Sequence, residues 1–260
     1  MTTGAKLGLG LLGFVVALAA IMALGWWVLD GSTTRPRVLR SRLTLVVETP
    51  EGERSGSSVT QVTTSFPGGL TKAQGYSIWP KLVGEAVVVD LGSRGLLFAT
   101  FESPRALANG GGSSGYNEGL DPFPQEKFRG ETGTGIWAKD EYAAYLDDVN
   151  RRKPKGELPF KDLPVLVRFR DPNDPTSVEL VDPLNLAASF GPGMTLKRAS
   201  VEITDDPITK GIEARLPWLA SSNVSPSLFP PRDPSLGLRT MSEVPLVQRL
   251  RYDDFRRLPR

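Results

Sequence analysis

Apolar and polar residues follow different rhythms along this chain. From Leu7 to Leu29, 23 consecutive residues carry no charge. As a helix such a run reaches about 34 Å, enough to cross a hydrocarbon core of about 30 Å. Trp26 and Trp27 close it, where interfacial aromatics belong. The pattern predicts a transmembrane anchor within residues 1–30 and a polar linker over 31–36. Ala17-Leu18-Ala19 has the form of a signal-peptidase site. It sits mid-run, however, and the run exceeds the roughly 7–15 apolar residues of a signal peptide. The helix is therefore expected to stay as an anchor.

A period of two then takes over. Val38–Glu48 alternates, with Leu43, Leu45 and Val47 on one face. Thr49-Pro50-Glu51-Gly52-Glu53 supplies turn chemistry, and Ser57–Phe66 returns as the second strand of a hairpin. Leu82–Asp90 and Leu96–Glu102 predict a second pair around Gly92-Ser93-Arg94-Gly95. Within it, Ala86-Val87-Val88-Val89 is apolar on both faces, which predicts a central strand. Residues 103–136 contain Gly110-Gly111-Gly112-Ser113-Ser114-Gly115 and no sustained period, and read as a long loop. Tyr142, Tyr145, Leu146 and Val149 recur at helical spacing and predict a helix over Asp140–Arg152. Val165, Val167 and Phe169 mark a further strand, followed by a turn at Asp171–Pro175.

Val178-Glu179-Leu180-Val181-Asp182-Pro183 is echoed by Val201-Glu202-Ile203-Thr204-Asp205-Asp206-Pro207. Asp suits a helix N-cap and Pro the first helical position. Each strand should thus hand over to a helix, Pro183–Phe190 and Pro207–Leu216. After Ala220, Pro226, Pro230, Pro231, Pro234 and Pro245 punctuate a Ser-rich stretch, and residues 221–260 read as an extended or disordered tail. Val247–Arg257 regains amphipathic character, with Leu250 and Phe255 among arginines. It is suited to docking on the domain, on a partner or on anionic lipid headgroups. The fold expected is α+β: the anchor, then residues 37–220 as a mostly antiparallel sheet domain with two or three short helices.

Composition narrows the chemistry. The 260 residues are 40% apolar and 23% charged, so most of the chain should fold. There is no cysteine and no histidine. Disulfides, Cys/His zinc sites, thiol nucleophiles and histidine-based triads are excluded. A net charge of +2 is too balanced for a nucleic-acid footprint.

The remaining motifs have plain explanations. Gly8-Leu9-Gly10-Leu11-Leu12-Gly13 matches a dinucleotide fingerprint but lacks the preceding strand. Gly111-Gly112-Ser113-Ser114-Gly115 matches a nucleophile elbow, which needs a histidine base and a strand–turn–helix setting. Ser77 and Lys81 are not at the S-x-x-K spacing of Ser-Lys enzymes. Glu85 and Asp90 lie on one predicted strand at odd separation and so face opposite ways. Asp171, Asp174, Asp205 and Asp206 offer oxygens to calcium without the twelve-residue loop spacing, and turn and cap duties account for them. Gly130–Gly135 lacks the ending of a phosphate loop, and Asn223-Val224-Ser225 is a chance-level sequon. Trp79, Trp137 and Trp218 suit core packing or, if exposed, a binding platform. No catalytic, cofactor-binding or metal-binding residue is predicted.

Leu43–Gly52, Gly84–Asp90 and the stretch from Val178 to Leu219 together resemble an uncharacterised family of small membrane-anchored proteobacterial proteins. The resemblance covers roughly residues 36–220 and implies a bacterial envelope setting, without an activity, cofactor or site residue.

Orientation is contested by two arguments. Arg35, Arg37, Arg40 and Arg42 follow the anchor while Lys6 precedes it, so the positive-inside rule places the domain in the cytoplasm. Arg37, Arg40 and Arg42 lie at the start of or within the first predicted strand, and a short tail before one anchor favours a periplasmic domain. Gly4-xxx-Gly8, Gly13-xxx-Ala17 and Ala19-xxx-Ala23 give the anchor small-residue faces for self-association. The expected function is a non-enzymatic, single-pass inner-membrane protein that binds another protein or supports assembly of a membrane complex. The alternatives are an envelope enzyme using carboxylates or a Ser-Lys pair, and a lipid-contacting module acting through the basic tail.

Overall fold

A computed structural model describes residues 15–25, 35–66, 79–108, 139–220 and 246–258. Helix α1 covers residues 15–25. Strands β1 (Arg37–Thr49) and β2 (Gly52–Ser65) form the expected hairpin. Its turn is tied by Thr49, whose hydroxyl donates to the Gly52 carbonyl (2.7 Å) and accepts from the Glu51 N–H. β3 (Trp79–Glu85), β4 (Val87–Asp90) and β5 (Leu96–Ala99) follow, then α2 (Pro104–Ala108) and α3 (Lys139–Arg152). Next come β6 (Lys155–Glu157), β7 (Leu166–Phe169), β8 (Val178–Leu180), α4 (Leu186–Phe190) and β9 (Thr195–Ile203). The C-terminal segment carries α5 (Leu246–Arg249) and β10 (Arg256–Arg257).

The strands form two sheets, ordered β10-β3-β2-β1-β9-β6 and β4-β5-β7-β8. The pairs β1–β9, β6–β9, β10–β3, β4–β5, β5–β7 and β7–β8 are all antiparallel. The fold is α+β, mostly antiparallel, with few helices. The chain divides into two units, residues 1–37 with 64–79 and residues 38–63 with 80–260.

In the first unit, α1 is apolar throughout, and its large side chains Val15, Val16, Leu18, Ile21, Met22 and Leu24 are exposed. Among the described residues no helix is long and apolar enough to cross a membrane. The rest of the apolar run, 7–14 and 26–29, lies outside the described residues.

The second unit is organised by alternation in the four-stranded sheet. Val87, Val89, Leu97, Ala99 and Leu166 point into one core, shared with Leu43, Leu45 and Val47 of β1 and Leu196 and Ala199 of β9. Phe98, Val167, Phe169 and Val178 point into a second core on the opposite face. That core is closed by Ile212, Leu216, Trp218 and Leu219, and by Leu250 and Phe255 of the C-terminal segment.

Several sequence expectations are corrected here. The strand expected over 82–90 breaks at Ala86 into two strands of different sheets. β4 is an edge strand rather than a central one; its two-faced apolar pattern arises because its sheet is the middle layer. The helix expected from Pro183 starts only at Leu186. Its cap is Asn185, whose side chain accepts from the Ala188 N–H, while Asp182 closes a turn on the Leu184 N–H. Of the helix expected over Pro207–Leu216 only a 3-10 turn, Ile212–Ala214, forms, and a second 3-10 turn, Pro217–Leu219, follows it. Asp206 cannot cap there because its carboxylate is engaged by Arg42 and the Thr204 hydroxyl. The loop expected over 103–136 begins with α2, and its Gly-rich part lies outside the described residues. Within the expected tail, 246–258 is built into the domain, and 221–245 lies outside the described residues.

Gly56 of β2 lies against the backbone of β4 at Val88 and Val89. A Cβ on Gly56 would lie 2.0 Å from the Val88 carbonyl oxygen. Backbone cannot yield as a flexible side chain can. Gly56→Ala is therefore expected to destabilise the protein by about 3 kcal/mol, the upper end for overpacking, in urea denaturation.

Candidate functional site

The buried acids among the described residues, Glu85, Glu102 and Asp254, lie where the C-terminal segment meets the domain. Three elements build this cluster. The β3–β4 break supplies Glu85, the chain after β5 supplies Glu102, and the segment itself supplies Asp254, Arg256 and Arg257. Glu85, Glu102 and Asp254 are 5%, 3% and 2% exposed.

Each acid has a structural partner. Glu85 Oε2 accepts from the Ile212 N–H at 2.9 Å and so holds the first 3-10 turn against β3. Burial raises its pKa above the ordinary glutamate range and the Glu213 charge adds to this, while the Ile212 and Gly211 N–H groups and Arg256 oppose it. Glu102 Oε1 accepts from the Ser103 N–H at 3.2 Å. Its backbone carbonyl accepts from the Val165 N–H at 2.8 Å. Asp254 Oδ2 accepts from the Arg251 N–H at 2.7 Å and closes the turn that presents Phe255. Burial, and then the neighbouring Glu102 charge, push the Asp254 carboxyl up to about 7.

The cations are equally engaged. Arg256 forms an ion pair with Glu213 and donates to the Leu219 carbonyl. It thereby joins the C-terminal segment to the second 3-10 turn. Arg257 donates to the Asp253 carbonyl and lies over the Phe101 ring, 5.9 Å from its centroid. Burial lowers its pKa, against the charges of Asp254, Asp253 and Glu102. Gly84, which faces Arg257 in the β3–β10 ladder, has φ +147° and lies against Thr60, where a side chain would not fit. Chemically the cluster is a set of capping and pairing groups that makes burial of an irregular segment tolerable.

The residues singled out in the sequence are scattered. Glu85 and Asp90 fall on different strands; Asp90 is exposed, caps the Gly92 N–H and pairs with Arg215 at 3.1 Å. Lys81 is exposed on β3, and Ser77 lies outside the described residues. Asp171 and Asp174 accept from the Asn173 and Thr176 N–H groups, as turn acids do. Asp205 pairs with Lys153 and Asp206 with Arg42. Among the described residues no group of three or more acids is placed to hold a metal ion. Trp218 is packed in the second core, and its indole N–H donates to the Pro172 carbonyl at 3.0 Å. Gly111–Gly115, Gly130–Gly135, Trp137, Asn223 and the side chain of Trp79 lie outside the described residues.

Sequence reading missed Glu102 and Asp254. The available signal was Asp253-Asp254 between Leu250 and Phe255, two acids inside an otherwise basic amphipathic stretch.

Comparison with protein-family models, curated proteins and solved structures returned no match.

If Glu85 acts as a cap, the two neutral replacements must differ. Glu85→Gln keeps an acceptor and is expected within about 1 kcal/mol of wild type; Glu85→Leu orphans the Ile212 N–H and is expected to cost about 1–3 kcal/mol. Because burial raises the Glu85 pKa, wild-type stability falls as pH climbs through that raised value, and the Gln variant should show a shallower slope. Urea denaturation between pH 5 and 8 checks both; equal stability of the Gln and Leu variants would remove the capping role.

Proposed function

We propose that this chain is a single-pass, membrane-anchored protein of the bacterial inner membrane. Its folded domain, on the periplasmic side, binds another protein or supports assembly of a membrane complex. The observation that carries the reading is α1, eleven residues without a charge, whose large apolar side chains are exposed on every side. In water such a helix would leave a continuous apolar surface uncovered, whereas in lipid that surface is satisfied. The uncharged sequence continues on both sides of it, from Leu7 to Leu29. The resemblance to membrane-anchored proteobacterial proteins supports the envelope setting. Ala19 and Ala23 lie four apart on the described helix, a spacing that suits close approach of a second copy.

A binding role is supported by how the domain uses its acids and where it leaves apolar area. Glu85 and Asp254 cap backbone N–H groups, which ties them to the fold. Leu180 on the outer strand β8 and Leu184 in the following turn are 49% and 79% exposed, and give that edge an apolar contact surface. The enzymatic alternative draws on Asp254, held near neutrality beside Glu102. Their burial closes both to a substrate while the C-terminal segment is docked. The lipid-binding alternative loses its apolar contacts, since Leu250 and Phe255 are fully buried.

The absence of cysteine makes topology directly measurable. Leu184→Cys is expected to react with a membrane-impermeant maleimide in intact spheroplasts, and the protein is expected to stay in the membrane pellet after alkaline carbonate extraction. Labelling only after lysis would move the domain to the cytoplasmic side. Release by carbonate would defeat the anchor itself.

A further inference from the structure

Residues 246–258 are held to the domain by a short strand, backbone and side-chain hydrogen bonds and buried apolar side chains. β10 adds only two residues to the edge of β3, Arg256 opposite Glu85 and Arg257 opposite Gly84. Two domain amides reach across to the segment: Ala86 N–H donates to the Phe255 carbonyl (2.8 Å) and Phe101 N–H to the Asp254 carbonyl (2.7 Å). Phe255 is wedged among Phe98, Phe169 and Trp218, with ring centroids 5.5–6.4 Å away. Among these contacts sits the Asp254 carboxyl, 2% exposed; its backbone carbonyl is bonded to the Phe101 N–H, and the residue after Phe101 is the equally buried acid Glu102, 3% exposed, whose charge acts on it. Its other charged neighbours are Arg251, Asp253 and Arg257 of its own segment. Across the β3–β10 ladder, Glu85, Glu213 and Arg256 form a separate group.

We propose that residues 246–258 form a proton-gated latch, docked while Asp254 carries a proton and loosened when Asp254 and Glu102 are both charged. Two buried carboxylates on opposite sides of one contact repel, and neither reaches water without parting the segment from the domain. Undocking uncovers the aromatic groove of Phe98, Phe169 and Trp218 and the outer edge of β3 at Gly84 and Glu85.

The direction of the pH response follows from the site. Asp254 docked ionises at about 7, against 3.8 for an ordinary aspartate. Between these values the docked form keeps a proton that the released form has lost. Docking is therefore firmest in acid, weakens as pH rises and levels off above 7. Each unit in that window favours release by about tenfold. Glu51, Glu53, Asp148, Glu179 and Glu202 are all shifted the other way, so what they contribute is lost only in stronger acid.

Amide hydrogen exchange on the full chain in detergent, corrected for intrinsic rates, tests this between pH 5 and 8. Protection of the Ala86 and Phe101 amides is expected to fall about tenfold per unit between pH 5 and 7 and then flatten, while the β1–β9 ladder holds constant. Asp254→Asn keeps an acceptor for the Arg251 N–H and should abolish the slope. Glu102→Gln should move the flattening point to lower pH and shrink the total fall; it decides the matter if the Asn variant does not fold. A flat wild-type profile, a slope unchanged in both variants, or one shared by the β1–β9 ladder would each overturn the latch.

Discussion

The second unit rests on one requirement: a four-stranded sheet that is apolar on both faces must be covered on both. One face is covered by the long β1–β9 ladder, in which regular strands alternate cleanly against the first core. Among the described residues, no sheet or long helix meets the other. It is covered by two 3-10 turns and a short C-terminal segment, which place Trp218 and Phe255 against Phe98 and Phe169. These four rings meet edge-on or tilted rather than stacked flat, the arrangement their quadrupoles favour. Buried aromatic area here does the work that regular secondary structure does on the opposite face.

Covering a sheet with irregular chain has an electrostatic consequence. Turns and a two-residue strand leave backbone N–H groups that no ladder satisfies, and burial makes each one costly. The domain answers with carboxylates, Glu85 for Ile212 and Asp254 for Arg251. Acids recruited as caps are thereby drawn into a region poor in water, and burial moves their ionisation upward. Arg256 and Arg257 follow them in and are tied by Glu213 and by backbone carbonyls. The same acids that make the cover possible make it sensitive to charge.

What was legible in the sequence tracks how local each cause is. The β1–β2 hairpin could be read because alternation and turn residues lie within one short window, and α3 because its apolar residues recur at helical spacing. The break at Ala86 was not legible. Ala86-Val87-Val88-Val89 is a uniform apolar run, and only the three-dimensional layering separates Val87 and Val89, which enter one core, from Ala86 and Val88, which face the other. The two Asp-Pro junctions looked alike in sequence but diverged. Asp182 was free to close a turn, whereas Asp206 was claimed by Arg42 from β1, far away in the chain. The seat of the C-terminal segment was not legible, although docking on the domain was one of the readings its amphipathic stretch allowed. Leu250 and Phe255 are five residues apart, a spacing that fits neither a helix face nor a strand face, and their partner groove is assembled from β5, β7 and the 212–219 turns.

The connectivity also orders assembly. β1, the first strand of the sheet domain, is paired by β9, and β3 by β10, so these two ladders of the larger sheet need late parts of the chain. The second core stays open until residues 246–258 arrive, and until then Phe98, Phe169 and Trp218 have an unfilled side. Pairings this distant in sequence carry a large loop-closure cost before any contact offsets it. If the chain is tethered near its start, as proposed, the piece that finishes the domain is the one farthest along the chain from the tether. The backbone contacts that seat this segment are a two-residue strand and two domain amides, far fewer than the eight pairs of the β1–β9 ladder. Local opening is therefore expected at this boundary before it reaches the β1–β9 ladder.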